Sequence, residues 1–380
     1  MKKATKQQSK KHNSRLVLRT IYQNGEMSRA DIARATKLTR PTVSSIVSAL
    51  IEENLVVEAG WGVSAGGKRP LLLQIAYDAH QLISIDLGSH EFRGALSNLN
   101  GDITIRRTIL TNGDKAESAL QLVFNLIDDL VEQASAPILG IGIGTPGVVN
   151  QKLGVIRQAV NLGWQDLPIR DLLTARYNIP VYIANDSHMA AIAEYTFGEQ
   201  RDSRNLIVIK ASRGVSAGIV INGRLHYGDG YAAGEIGHVV VVENGEACRC
   251  GNAGCLETVS SSTAILDKVR QSVPGADWAY IMAAMAENDP IVSQLIADAG
   301  KYLGIAIAHL ISNFNIHNII IAGRVGALGQ PLLQPIRQEI NRRILPSIAA
   351  DTHISLSTAG TDIVLLGSAA MVLQHELGVI

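Results

Sequence analysis

Over the first eighty residues apolar positions recur at helical spacing, separated by short polar breaks. Leu16, Leu18 and Ile21 open an amphipathic helix predicted to end near Asn24-Gly25. Ser28, with Asp31 three residues later, offers a near capping box for a second helix that carries Ile32 and Ala33 and stops around Thr36. After a tight turn, Thr39 is placed to cap a third helix. Pro41 is tolerated in its first turn, and Val43, Ile46, Val47 and Leu50 face inward. Two strands follow, "LVVEAG" and "LLLQIA", joined by the loop "WGVSAGGKRP". Three helices in this order with a trailing hairpin predict a winged helix-turn-helix over residues 14–80. Residues 1–13 read as a basic flexible tail.

From residue 81 the period changes. "LISIDLG" is a buried strand, and the segment after it folds back as a hairpin at Asn100-Gly101. A helix near 115–133 and the strand "ILGIGIGTPG" complete a β-β-β-α-β unit. The second half is alike: "NLIVIKASRG" is a strand entering a glycine loop, and "SAGIVINGRLHYG" turns at Asn222-Gly223. Two such units facing each other across a cleft are the plan of an actin-like (ribonuclease H-like) sugar-kinase fold. The expected architecture is α/β: an N-terminal winged helix-turn-helix, then a two-lobed domain over 81–380. One lobe takes about 81–184 plus the C-terminal helix, the other about 185–365.

Composition agrees with that class. The chain has 380 residues, 47% of them hydrophobic and 4% aromatic, with 35 glycines, which suits an α/β protein and excludes a fibrous or disordered one. No apolar run approaches the roughly 20 residues of a membrane span, and the basic N-terminus lacks the apolar segment of a signal peptide. A cytoplasmic protein without a membrane partner is expected. The net charge of zero hides an asymmetry. Residues 1–80 hold 13 Lys/Arg against 6 Asp/Glu, a balance of +7, which the remainder offsets with −7. A basic head on an acidic body suits a polyanion. Together with the helix order it points to DNA, although a helical interaction module is the alternative. The third helix would enter the major groove. Ser28, Arg29, Thr39, Arg40, Thr42, Ser44 and Ser45 lie near exposed helix starts, and Lys68 and Arg69 on the wing suit phosphates or a minor groove.

All three cysteines of the chain, Cys248, Cys250 and Cys255, fall within eight residues, and His238 precedes them by ten. An odd count in a reducing compartment disfavours a disulfide, and no redox Cys-x-x-Cys is present. Three thiolates and one imidazole make a tetrahedral zinc set, with Gly251 and Gly254 allowing the sharp turns. Four protein ligands leave no open position, so the zinc is expected to be structural.

"RGVSAGIVINGRLHYGDGYAAGEIGH" followed by "CRCGNAGCLE" resembles the motif pair of the ROK family of repressors and sugar kinases. "IGIGTPGVV", "AVNLGW" and "IANDSHMAAIAE" resemble its other stretches, and the winged head resembles the repressor branch. The resemblance implies a sugar pocket of Asn161, Asn185, Asp186, Glu235, His238 and Glu257, with Asp186 at the position of the kinase base. The structural alternatives are Asp186 as a helix N-cap and Glu257 as an N-cap or surface charge.

The nucleotide side departs from the kinases. Their Asp-x-Gly-Gly-Thr reads "DLGSH", so Ser89 and His90 replace a glycine and a threonine. Their Gly-Thr-Gly reads "SRG", placing Arg213 where a small hydroxyl belongs, and Arg324 intrudes into the adenine-side run "IAGRVGALG". A preserved sugar side with an eroded phosphate side implies a sensor: a sugar-responsive repressor and not an enzyme, acting as a homodimer or dimer of dimers on a palindromic operator. The rival expectation is an active sugar kinase with an appended DNA-binding head.

Overall fold

The computed structural model describes residues 6–63, 69–200 and 203–379. In the head, α1 (Lys6–Asn24) is followed by β1 (Met27–Ser28), α2 (Arg29–Thr36), α3 (Arg40–Glu52), β2 (Val56–Trp61) and β3 (Leu71–Ile75). Residues 6–13, which composition assigns to the tail, are the first turns of α1. Local chemistry sets each boundary. Ser28 and Asp31 close the reciprocal capping box that starts α2, and Lys37 in the left-handed region ends it. Thr39 caps α3 through the Thr42 amide, with proline in its first turn. Val43, Ile46, Val47 and Leu50 are buried, as are Val17, Leu18 and Ile21 of α1 and Ile32 of α2. The hairpin β2–β3 pairs antiparallel, and β1 joins its other edge to give the order β1-β3-β2.

The chain divides into two compact units. The first comprises residues 1–143, 159–183 and 368–380, and the second 144–158 and 184–367. The first therefore holds the whole head. After the head it contains β4 (Gln81–Leu87), β5 (Glu91–Ser97), β6 (Ile103–Leu110), α4 (Ala116–Glu132) and β7 (Ile138–Thr145). The short strands β8 (Val148–Asn150) and β9 (Val155–Ala159) form a hairpin whose residues 148–158 belong to the second unit. The strand β10 (Trp164–Leu167), α5 (Ile169–Tyr177) and β11 (Val181–Asn185) complete this stretch. The main sheet runs β11-β7-β4-β5-β6. Its strand β4 is sealed along its length, with Leu82, Ile83, Ile85 and Leu87 buried, as its unbroken apolar run requires of a strand covered on both faces.

The second unit repeats the plan. It contains α6 (Asp186–Phe197), β12 (Leu206–Ala211), β13 (Val215–Ile221), β14 (Arg224–Leu225), α7 (Glu257–Ser260), α8 (Ser262–Ser272), α9 (Trp278–Ala286) and α10 (Pro290–Phe314). Next come β15 (Asn318–Ala322), α11 (Gln330–Arg343), α12 (Pro346–Asp351) and β16 (His353–Leu356). The helix α13 (Ile363–Glu376) begins here and ends in the first unit. The sheet order is β14-β13-β12-β15-β16, with β12, β15 and β16 parallel. Asn222 and Gly223 both have positive φ, the two-residue turn their identity predicts. The third strand of this hairpin, β14, is two residues long where β6 has eight. The core lies between this sheet and the helices: Ile207, Ile209, Val215 and Ile219 meet Leu303, Ile307, Ile311, Leu332 and Ile336. Among the described residues, α10 is the one helix long and apolar enough to cross a membrane, and half of its most apolar stretch is buried.

Candidate functional site

Where β11 gives way to α6, two neighbouring residues take different tasks. Asn185 is the N-cap of α6: its Oδ1 accepts from the Ser187 amide at 2.8 Å and from the Ser187 hydroxyl at 2.6 Å, while its Nδ2 donates to Gly147 O at 2.8 Å. Asp186 is thus released from capping. Its Oδ2 lies 2.7 Å from Nζ of Lys210, with the two side chains 20% and 15% exposed. Lys210 stands near the end of β12, where its backbone is held between Ser216 of β13 and Ala322 of β15.

Two more carboxylates belong to the same group. Glu235 enters the 3-10 turn Ile236–His238. Burial, followed by the charges of Asp186 and Glu257, pushes its carboxyl up to about 7. Glu257 is the first residue of α7, but it makes no capping bond and instead pairs with Arg249 at 2.9 Å. Its Oε2 lies against Gly214, the glycine of "SRG", where a side chain would collide with it. His188 on α6 is 2% exposed, bonds the Ala233 carbonyl through Nε2 at 3.2 Å, and meets Tyr227 edge-on. Burial holds its imidazole below the usual range, so the ring is a neutral wall of the group.

Next to these carboxylates in sequence, the cysteine loop folds on itself. Val240 bridges Cys255, Ala247 bridges Ala253, and the Cys248 amide donates to Asn252 O at 2.7 Å. Gly251 and Gly254 both have positive φ, and a side chain at Gly254 would strike Val242 O, so the loop closes only with glycine there. The result gathers one ligand atom each from His238, Cys248, Cys250 and Cys255 within 4.8 Å of one another. Cys248 Sγ lies 3.6 Å from His238 Nδ1, and Cys250 Sγ 3.6 Å from Cys255 Sγ. A tetrahedron with metal–sulfur bonds of about 2.3 Å has edges of about 3.8 Å, so the set could hold a metal ion. Burial and the adjacent thiols push Cys255 up to about 12; a bound cation would offset that penalty.

At the start of α3, Thr39, Arg40, Ser44 and Ser45 are exposed and Thr42 is half-buried, with the Thr39 and Thr42 hydroxyls 2.8 Å apart. Arg69 is exposed at the wing, where Trp61 and Val63 are also bare; Lys68 lies outside the described residues. Ser28 departs from the expectation. It is 5% exposed and its hydroxyl is spent on Asp31, because a capping serine points back into its own helix. Arg29 beside it is half-buried. Asn161 sits in a 3-10 turn, Val160–Leu162, in the first unit, closed by Gly163 in the left-handed region.

Arginines stand beside both stretches in which the sequence departs from the kinases. Asp86 of "DLGSH" faces Arg93 across the β4–β5 hairpin, their charged atoms 3.9 Å apart. In the second unit Ser212 accepts from the Arg324 amide at 3.1 Å, and the Arg324 guanidinium lies over the Trp278 ring at 5.9 Å. Sequence reasoning missed Lys210, Arg249 and His188. For Lys210 a signal existed: it is the single charge in the buried strand "LIVIKA", and a lysine there needs a carboxylate partner.

A winged DNA-binding head joined to a duplicated α/β body with clustered carboxylates defines a regulator on a sugar-kinase scaffold. The chain belongs to the ROK family, whose model matches residues 82–375, and a winged helix-turn-helix DNA-binding model matches residues 11–57. It is 34% identical to the xylose repressor of Caldicellulosiruptor bescii, with 97% of each chain covered. A glucokinase of Halalkalibacterium halodurans is 32% identical over 77% of this chain and 95% of its own. A solved ROK family transcriptional regulator, described as a homologue of the Escherichia coli MLC protein, superposes with a TM-score of 0.86 at 30% identity, covering 98% of both chains.

Proposed function

We infer that this protein is a sugar-responsive DNA-binding transcriptional repressor. One observation carries the reading: the winged head matches a DNA-binding model, while the base position of the kinases, Asp186, is paired with Lys210, which suits binding without phosphoryl transfer. The full-length likeness to a xylose repressor supports it, whereas the glucokinase likeness covers 77% of this chain. In this reading α3 reads operator DNA through Thr39, Arg40, Thr42, Ser44 and Ser45, and Arg29, Lys68 and Arg69 contact the backbone. Asn161, Asn185, Asp186, Glu235, His238 and Glu257 bind an aldose such as D-xylose, whose hydroxyls each donate and accept.

His238, Cys248, Cys250 and Cys255 hold a structural zinc, which fixes the segment between Glu235 and Glu257. The chain works in the cytoplasm as a homodimer or dimer of dimers on a palindromic operator, since helix-turn-helix proteins read paired half-sites. Sugar releases DNA only by binding the non-DNA conformation more tightly.

The deciding experiment is fluorescence-anisotropy binding to the gene's own upstream DNA, with and without D-xylose, D-glucose and N-acetylglucosamine. Affinity that changes with one sugar is expected. No binding at low salt under any condition would remove the reading. The kinase alternative keeps Asp186 in its favour; ADP release dependent on Asp186 and magnesium would establish it.

A further inference from the structure

The cation beside Asp186 belongs to none of the motifs that define the site. Lys210 is the only charged residue of β12, and both neighbouring strands hold its backbone in register, so its reach to Asp186 is set by the sheet. Asp186 has no capping duty to compete for it, because Asn185 performs that role. The side chains are mostly buried and meet at 2.7 Å. Glu235 is close enough to feel the charges of both Asp186 and Glu257, and Arg249 pairs with Glu257.

We propose that Lys210 sets the ligand class of this site: by holding Oδ2 of Asp186 it makes that carboxylate a fixed, charge-balanced acceptor and selects neutral aldoses over amino sugars. The proposal rests on the sugar-binding reading. Its physical basis is a charge count. With Lys210 in place, Asp186 and Glu257 each have a cation, and a further ammonium on the ligand meets a positive neighbour. Without Lys210, Asp186 is left uncompensated near two other carboxylates, which is an environment for a cation.

The test uses calorimetric titration of the full chain with D-xylose, D-glucose and D-glucosamine at neutral pH, for the unaltered protein, Lys210→Met and Lys210→Arg. Unfolding temperature serves as the control for folding. The unaltered protein is expected to bind one neutral aldose at least tenfold more tightly than D-glucosamine. Lys210→Met is expected to lose that affinity tenfold or more and to swing the ratio toward D-glucosamine, and Lys210→Arg to restore the original order. A uniform loss for all three sugars, or no loss, would overturn the role of Lys210 while leaving the sugar site standing. Failure of the unaltered protein to bind any of the three would instead remove the sugar-binding reading, and this proposal with it. Should Lys210→Met not fold, the double variant Asp186→Asn, Lys210→Met removes both charges. A gain of D-glucosamine preference in that double variant would refute the charge argument.

Discussion

Replacing Ser28 with alanine separates two roles that the same residue could play. As a DNA contact, Ser28 would affect binding and leave folding alone; as the cap of α2, it does the opposite. The structure gives the magnitude. The hydroxyl accepts from the Asp31 amide at 3.2 Å and donates to Asp31 Oδ2 at 2.6 Å, and the Ser28 amide donates to the same oxygen at 3.3 Å. Losing a serine cap costs about 1 kcal/mol, and stranding its partner adds up to about 1 more, so the expected total is roughly 1–2 kcal/mol. That corresponds to roughly a 5- to 30-fold loss of protection. The Ser28 hydroxyl is also the largest cause holding the Asp31 carboxyl below its ordinary range. This part of the stabilisation is present above the ordinary carboxylate pKa and is lost as pH falls through the lower folded value. The penalty of Ser28→Ala should therefore shrink in acid. Amide hydrogen exchange over residues 29–52 reads the loss, anisotropy reads DNA affinity, and Ser28→Thr should recover most of the protection. Unchanged protection together with a tenfold weaker DNA complex would refute the capping account.

Four further outcomes are expected. Glu235, raised from an ordinary 4.5 to about 7, keeps a proton in the folded state that the unfolded chain has lost, so stability falls as pH rises through that window, by roughly 3 kcal/mol at most. Denaturant midpoints at pH 5 and pH 8 should show this slope and its disappearance in Glu235→Gln; equal slopes would refute it. If His238 and the three cysteines hold the proposed zinc, chelation, or Cys255→Ser, should loosen residues 238–257 and weaken sugar binding, and unchanged affinity in protein verified free of metal would contradict the fastening role of the loop. Arg15 and Arg19 of α1 bond carbonyls at and just past the end of α13, His375 O at 2.7 Å and Gly378 O at 3.2 Å, each worth about 1 kcal/mol. Replacing both with alanine should speed exchange in α1 ahead of the rest of the chain, and identical exchange would show the contacts to be idle. Arg40→Ala should weaken DNA binding and flatten its dependence on salt by about one phosphate contact, with the unfolding temperature unchanged.

The positions at which periodicity and chemistry coincide were legible from the chain alone. The head followed from caps and apolar spacing, because both act within a few residues: Thr39 caps α3, and Val43, Ile46, Val47 and Leu50 are its buried face. The two hairpins followed from Asn-Gly pairs, and the clustering of His238 with the three cysteines from four potential ligands in a short span with glycines where the backbone must turn. Tertiary structure decided whatever depends on which distant side chains meet. "IANDS" does not say whether Asn185 or Asp186 caps the helix; the choice falls to Asn185 because Gly147 O and Ser187 consume its amide. Nor does the sequence pair Lys210 with a residue 24 positions earlier, since that partnership arises where β12 passes the start of α6. A charge in a buried strand announces that it has a partner, while only the packed sheet determines which carboxylate that partner is.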